Sequence, residues 1–399
     1  MGAGKGPPVQ GGAAEATTAV GLAVAGLLAL AGAMGIGRFL LTPALPMMAA
    51  GTELGPIEAG FVAAANFAGY LLGALATAHA RFPTPARGGL VAGLALSAAS
   101  TGAMAIVSEP LAWTVIRFVG GVASALVLVT ASALILRRLV EMGRGRLTSV
   151  HFAGVGVGIS LSALIAAPGI AAPDAWPQVW AVGGLATLLV ALAVAMLVPR
   201  VTTATDAPAT AVADGRGPIG RLTLAYGLFG FGYVITATFM VSILRENGAG
   251  RWPETVVWLA VGLSAVPSVA IWSWAGRRIG AVPAFRLALL VEAAGVALSA
   301  VSTGVAALAI AAVALGGTFM GITALGLVEA VRRAGGDGRR AMALMTASFG
   351  AGQMIGPAAA GWLRDATGTY AVPSLAAAAM LVLGALVMRA ETGPGTQRG

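Results

Sequence analysis

The chain has 399 residues, of which 58% are hydrophobic and only 10% are charged, and its mean hydropathy is +0.89. Soluble globular proteins carry about 25% charged residues, so this composition excludes a soluble protein and predicts an integral membrane protein. The net charge of +9 comes from arginines that recur between apolar segments, so we expect no nucleic acid as a partner. With no cysteine and two histidines, the chain offers no metal cluster, and we expect no cofactor.

Twelve apolar segments follow one another, each long enough to cross a bilayer, which takes about 20 residues. We predict membrane spans at residues 19–48, 56–79, 88–108, 110–137, 147–171, 176–198, 220–245, 254–275, 282–303, 305–331, 340–363 and 370–389. The intervening polar stretches divide the chain into five parts. These are a flexible tail at 1–18, an N-terminal bundle at 19–198, a linker at 199–219, a C-terminal bundle at 220–389 and a second tail at 390–399.

The polar stretches also predict an orientation. Most of the 24 arginine and lysine residues fall on the side of the predicted membrane that carries both tails and the linker. The positive-inside rule places that side in the cytoplasm. We expect a multi-pass protein of the inner (plasma) membrane. A cleaved signal peptide is the alternative for the first apolar segment, but the segment is too long for one and contains Arg38.

Arg38 interrupts the first apolar segment at about ten residues, or roughly 15 Å, from its predicted outer end. A charge near the middle of a bilayer costs about 3 kcal/mol or more, so it is kept where it faces protein, water or a ligand. We therefore interpret Arg38 as a substrate contact in a cavity. The alternative is a helix that stops at Pro43, from which the arginine would extend to the outer headgroups.

The sequence pattern around Arg38 recurs 195 residues later. Gly230 and Gly232 correspond to Gly35 and Gly37, and Tyr233 takes the position of the arginine. Duplicated bundles are a common plan for transporters, with the substrate site near the bilayer midplane between the halves. The repeat therefore predicts an all-α membrane fold of twelve transmembrane helices in two pseudo-symmetric six-helix bundles.

The stretches 35–47, 151–159 and 229–233 together resemble the major facilitator superfamily of transporters, and more narrowly its YbfB/YjiJ-type branch. The resemblance implies alternating access, in which two bundles rock about a central site. Arg117 and Gly121 are similar to a fourth-span motif whose arginine takes part in proton coupling in several antiporters of the superfamily. Gly356 and Pro357 belong to a stretch similar to a motif of exporters. That motif is usually found in the fifth span, whereas these residues lie in the eleventh.

Residues of three kinds complete the candidate site. The first are polar or aromatic side chains of spans that line the pathway in the superfamily: Thr42, Asn66, Tyr70, His151, Tyr233, Thr236, Phe239 and Gln353. For His151, helix packing is an equal alternative. The second kind are the coupling candidates. One is Arg117, for which structural anchoring is the alternative; the other is Glu292, because a buried carboxyl group can exchange protons. Its alternative is an acid that faces water or bonds to a neighbouring helix. The third are glycines expected to pack helices closely: Gly35, Gly37, Gly121, Gly154, Gly156, Gly158, Gly230, Gly232 and Gly356.

The substrate class follows from charge. No acidic residue lies inside the first six predicted spans, so Arg38 and Arg117 have no counterion in their own half. Because an unpaired buried charge is costly, we predict a small anionic or zwitterionic substrate. The expected function is secondary transport. Proton coupling, direction and oligomeric state stay open, with export favoured over uptake.

Secondary transport has two alternatives. A passive facilitator with the same fold is the main alternative, and it needs no titrating group. A polytopic membrane enzyme is disfavoured because the sequence gathers no catalytic carboxylates or histidines at one face or in a large loop. We therefore expect the chain not to be an enzyme.

Overall fold

A computed structural model describes residues 11–79, 86–167, 173–199, 218–248, 250–302, 304–335 and 338–389. The described residues are almost entirely helical, and twelve of their helices are long. In chain order these are α1 (Thr18–Gly51), α2 (Pro56–Ala78), α3 (Arg87–Ala103), α4 (Pro110–Glu141), α5 (Thr148–Ala166), α6 (Trp176–Leu197), α7 (Gly220–Glu246), α8 (Arg251–Ile279), α9 (Ala281–Val301), α10 (Val305–Ala334), α11 (Gly338–Thr367) and α12 (Ala371–Arg389).

Eleven helices of the described residues are long and apolar enough to cross a membrane. Helix α11 has the length but is less apolar, because it carries glycines and polar residues such as Thr346 and Gln353. Both of these side chains line a cavity inside the protein. A helix that turns polar groups toward such a cavity has a lower mean hydropathy, although its opposite face can remain apolar.

The predicted segments match the long helices, with differences at their ends. The helical turns that lead into α1 begin at Gly11, inside the stretch expected to be a flexible tail. Helices α4, α8 and α11 extend beyond the predicted spans, because the arginines at their ends continue the helix beyond the apolar stretch. Residues 1–10, the linker residues 200–217 and the tail 390–399 lie outside the described residues.

The two halves of the chain repeat the same helix pairing. In the first half α1 packs on α5, α2 on α4 and α3 on α6. In the second half α7 packs on α11, α8 on α10 and α9 on α12, which is the same set shifted by six helices. The halves meet where α2 contacts α11 and where α5 contacts α8, and these two contacts are also related by that shift.

Hydrogen bonds between the halves lie toward one side of the bundle. We call the side where α6 ends and α7 begins the linker side. Near the opposite ends of their helices, Thr42 Oγ1 donates to the carbonyl oxygen of Ala237 at 2.6 Å, and Trp258 Nε1 donates to Ser162 Oγ at 2.9 Å. The halves also touch there through backbone, since a Cβ at Gly361 would lie 2.3 Å from the carbonyl oxygen of Pro56. The halves are therefore closed together on the side opposite the linker.

Candidate functional site

A cavity of about 110 Å³ lies between the two halves. Its walls come from α1, α2, α4 and α5 on one side and from α7, α10 and α11 on the other. The lining is mostly aromatic and aliphatic: Leu30, Met34, Arg38, Phe39, Tyr70, Leu128, Phe152, Val155, Tyr226, Tyr233, Phe319, Met320, Thr323, Leu327, Thr346, Phe349 and Gln353. A site built from both halves is the arrangement that alternating access requires, because rocking one half against the other changes which side can reach it.

Arg38 enters this cavity from a part of α1 that departs from regular α-helical geometry. The turn Ala31–Ile36 is π-helical, and α-helical geometry resumes at Gly37–Phe39. Single π-turns inside α-helices are frequent at functional sites. The arginine is 5% exposed and lines the cavity, so it does not extend to the headgroups.

The Arg38 guanidinium is surrounded by aromatic rings and has no strong acceptor among the described residues. Its Cζ atom lies 4.4 Å from the ring centroid of Tyr70 and 4.8 Å from that of Phe67. Nη1 approaches the Met34 sulfur at 3.7 Å, which is a weak acceptor. Nε and Nη2 have no hydrogen-bond partner among the described residues. Because buried donors are normally paired, these two nitrogens point to an acceptor supplied by a ligand or water.

The opposite wall of the cavity contains Tyr233 and Gln353. Gln353 Nε2 donates a short hydrogen bond to Tyr233 Oη, and Gln353 Oε1 has no partner among the described residues. The Tyr233 ring is parallel to that of Phe349, with an interplanar angle of 1° and a centroid distance of 5.7 Å. The sequence repeat therefore places a charged residue, Arg38, and a neutral one, Tyr233, on facing walls of one cavity.

Arg117 does not line the cavity. Its Nη1 donates to the carbonyl oxygen of Gly37 and its Nη2 to that of Arg38, both at 2.7 Å. The guanidinium also lies 5.7 Å from the ring centroid of Trp180. Arg117 therefore holds the α1 backbone at the residue whose side chain enters the cavity.

Several predicted pathway residues join helices instead of lining the cavity. Asn66 Nδ2 donates to the Arg117 carbonyl oxygen at 2.9 Å and so links α2 to α4. His151 lies beside Ser132, with Nε2 and Oγ 3.4 Å apart, and the space beside Gly26 receives its ring. Phe239 stacks on Tyr370 at a centroid distance of 5.0 Å, whereas the hydroxyl of Thr236 is buried without a partner among the described residues. The hydroxyl of Thr42 forms the bond between the halves described above.

Glu292 lies outside the cavity, between α9 and α10. Its side chain is 0% exposed, and its Oε2 accepts a hydrogen bond from Thr318 Oγ1 at 3.1 Å. Oε1 has no partner among the described residues. This geometry matches the alternative in which the Glu292 side chain bonds to a neighbouring helix. It does not match the alternative in which the side chain faces water.

The predicted packing glycines stand at close helix contacts. A Cβ at any of them would lie within 3.0 Å of an atom of another helix or its side chain: Gly35, Gly37, Gly121, Gly154, Gly156, Gly158, Gly230, Gly232 and Gly356. The contact at Gly156 joins the two halves, because its Cβ would lie 2.6 Å from the carbonyl oxygen of Gly262 on α8. Such contacts let backbones approach closely in a membrane protein.

Sequence reasoning missed most of the cavity-lining residues that the C-terminal half contributes. Phe319 and Thr323 on α10 line the cavity, as do Thr346 and Phe349 on α11. A signal was present on α11, where Thr346, Phe349 and Gln353 recur at helical spacing and so share one face. In a membrane helix, however, aromatic residues that face lipid give the same sequence pattern, so the pattern does not distinguish a lipid-facing side from a cavity-facing side.

Comparisons with known proteins identify similar sequences and folds. Residues 30–389 match the sequence model of a family described as "Uncharacterised MFS-type transporter YbfB", where MFS stands for major facilitator superfamily. No curated protein matches the sequence closely enough to count as a relative. A mutant of the nucleoside transporter NupG superposes with a TM-score of 0.74 at 14% identity, covering 94% of this chain and 100% of the other.

A second solved structure gives a similar result. It is a bacterial homologue of the human lysosomal transporter Spinster, in an inward-facing and occupied conformation. It superposes with a TM-score of 0.68 at 13% identity, covering 94% of this chain and 96% of the other. At these identities the likeness shows the fold alone.

Proposed function

The chain belongs to the YbfB-type family of major facilitator superfamily transporters, and on that premise we propose that it is a secondary transporter of small organic anions that works by alternating access. Family and fold support a multi-pass membrane transporter, and transport rather than catalysis. In the proposed cycle the substrate occupies the cavity between the halves, and rocking of the halves exposes it to either side in turn.

The observation that carries this proposal is the state of the Arg38 side chain. It is a buried guanidinium in the inter-half cavity, with two nitrogens that have no partner among the described residues. None of the described lining residues is acidic. A bound anion would neutralise the charge and accept the free hydrogen bonds, which favours an anion over a neutral solute.

The orientation in the membrane is part of the same proposal. We assign all twelve long helices as spans, including α11, and place both termini and the linker side in the cytoplasm of a cell whose inner (plasma) membrane holds the protein. The described arginines of the loops favour this orientation, for example Arg137 and Arg138 at the linker-side end of α4. The halves are joined on the opposite side, so the conformation is closed toward the outside.

A passive facilitator remains the second candidate, and one observation favours it. The coupling candidates Arg117 and Glu292 and the titratable His151 do not belong to the described cavity lining. A proton taken up at any of them would have to act on the substrate through intervening side chains. Counterflow that ignores a pH gradient is the behaviour expected of the facilitator.

Purified protein tests the proposal in two steps. A thermal-shift screen against organic acids, amino acids, sugars and nucleosides should show stabilisation by monovalent organic anions. Those compounds should then exchange across the membrane of vesicles that contain the protein, with and without a pH gradient. Stabilisation and exchange by sugars or nucleosides alone would overturn the assignment of an anionic substrate.

A further inference from the structure

The free edge of the Arg38 guanidinium is the edge that other arginines of this chain use to hold a carboxylate. Nε and Nη2 are the two nitrogens of Arg38 without a partner among the described residues. At Arg245 the same two nitrogens donate to the two carboxylate oxygens of Glu254, at 3.0 and 2.6 Å. Arg332 binds Glu329 in the same way, at 2.8 and 2.6 Å. Nε and Nη2 of Arg38 are therefore the same two donors that make a two-point carboxylate contact elsewhere in this chain, here buried and without a partner among the described residues.

The rest of the cavity favours a single negative charge. Among the described lining residues Arg38 is the charged one, and the other polar groups are the hydroxyls of tyrosine and threonine and the amide of Gln353. The ammonium group of a zwitterion would find no carboxylate partner in this lining. A second carboxylate on the substrate would likewise find no second cation. Since an unpaired buried charge is costly, a monocarboxylate fits best.

The apolar part of the cavity is an ordered set of aromatic rings. Tyr233 lies between Phe319 and Phe349, with interplanar angles of 6° and 1° and centroid distances of 5.7 Å to both. Tyr226 stacks on Phe349 at 4.9 Å. All four rings line the cavity. Aromatic pairs in stacked or edge-to-face geometry gain energy beyond the area that they bury, so such a wall favours a flat ring over a saturated one.

From these three features, and resting on the function proposed above, we infer that the substrate is an aromatic monocarboxylate. Its carboxylate binds the Nε and Nη2 edge of Arg38, and its ring packs against the wall of Tyr233, Phe319 and Phe349. The free Oε1 of Gln353 accepts a hydrogen bond from a hydroxyl group on the ring. Hydroxylated aromatic acids therefore bind more tightly than benzoate itself.

Binding of a matched series of compounds to the purified full-length protein tests this inference by calorimetry. Benzoate and 4-hydroxybenzoate are the test ligands. Cyclohexanecarboxylate keeps the charge without the flat ring, benzamide keeps the ring without the charge, and acetate has neither ring nor bulk. We expect benzoate to bind about fivefold more tightly than cyclohexanecarboxylate, because stacking energies of about 1 kcal/mol correspond to that ratio. Benzamide and acetate should bind too weakly to measure.

Substitutions in the protein test where the aromatic ring of the ligand binds. Phe349→Leu should lower the affinity for benzoate more than the affinity for cyclohexanecarboxylate, because only benzoate loses a stacking contact. Phe61→Leu is the matched control on the outer surface of the bundle, where Phe61 is 56% exposed. The wild-type series decides the question even if Phe349→Leu does not fold. Equal or tighter binding of cyclohexanecarboxylate would overturn the aromatic inference and leave the anion transporter standing. Binding of none of the carboxylates, with no exchange in vesicles, would overturn both.

Discussion

The hydroxyl of Thr42 donates a 2.6 Å hydrogen bond to the carbonyl oxygen of Ala237, which stands at the equivalent position in the second half of the chain. Thr42 follows Arg38 by one turn of α1, and Ala237 follows Tyr233 by one turn of α7. The bond therefore joins the two helices that carry the facing polar residues of the cavity. It lies on the side opposite the linker, where it helps to hold the halves together.

Replacing Thr42 by valine should favour the conformation that is open on that side. The bond is worth about 0.5 to 1.5 kcal/mol, so its loss shifts the ratio of closed to open forms by about two- to tenfold. Because the chain has no cysteine, spin labels at Ala50→Cys and Asn247→Cys can report the distance between the ends of α1 and α7. Thr42→Ser keeps the hydroxyl and is the control. An unchanged distance distribution in Thr42→Val would show that the bond does not close this side.

Replacing Arg117 by glutamine should lower both stability and anion affinity, although Arg117 does not line the cavity. Its two bonds to the carbonyl oxygens of Gly37 and Arg38 fix the backbone that presents the cavity guanidinium. Hydrogen bonds from a charged group are worth about 1.5 to 3 kcal/mol each. Thermal unfolding and ligand titration on the same preparation measure the two effects.

Two variants serve as controls for Arg117→Gln. Arg117→Lys keeps one charged donor and should lose less of both stability and affinity. Arg144→Gln changes an exposed arginine and should change neither. Full anion affinity in a destabilised Arg117→Gln would refute the positioning role.

Replacing Gly156 by alanine should disturb the contact between the halves. The added Cβ would lie 2.6 Å from the carbonyl oxygen of Gly262, which is backbone and cannot rotate away. Overpacking of this kind costs about 1 to 3 kcal/mol, so the melting temperature should fall. Gly317→Ala is the matched control, since a Cβ there would meet no atom of another described helix within 4 Å. Equal melting temperatures for the two variants would argue against a tight contact at Gly156.

Replacing Glu292 by glutamine should separate coupled transport from passive exchange. The amide can still accept the hydrogen bond of Thr318, so the packing between α9 and α10 is kept. If Glu292 carries the coupling proton, a pH gradient should drive uptake or efflux in the wild type and not in this variant, while counterflow continues in both. Gradient-driven transport that survives in the variant would exclude Glu292 from coupling. A wild type that ignores the gradient would favour the facilitator.

The sequence predicted those features that depend on local chemistry or on the repeat. The charge of Arg38 in an apolar segment indicated a cavity, and the 195-residue offset identified Tyr233 as the equivalent position in the second half. The glycines at close contacts were also predictable, since glycine inside a membrane helix has few other uses.

The partners of buried polar groups could not be predicted, because they depend on which helices become neighbours. Asn66 and His151 have the polarity of pathway residues but bond across to α4. Arg117 has no acidic partner among the described residues, and its charge is met by two backbone carbonyls, which leave no mark in a sequence. The parallel rings of Phe319 and Phe349 were missed for a related reason, since an aromatic side chain can face lipid or a cavity equally well.

The central claim is that the free edge of Arg38 holds an anion between the two halves, and counterflow of labelled benzoate into vesicles measures it most directly. We predict rapid exchange by the wild type, reduced exchange by Arg38→Lys, and a loss of about ten- to a hundredfold in affinity for Arg38→Gln, since charged hydrogen bonds are worth about 1.5 to 3 kcal/mol. The folded state of each variant is checked by its melting temperature. Exchange at the wild-type rate and affinity by a folded Arg38→Gln would contradict the account.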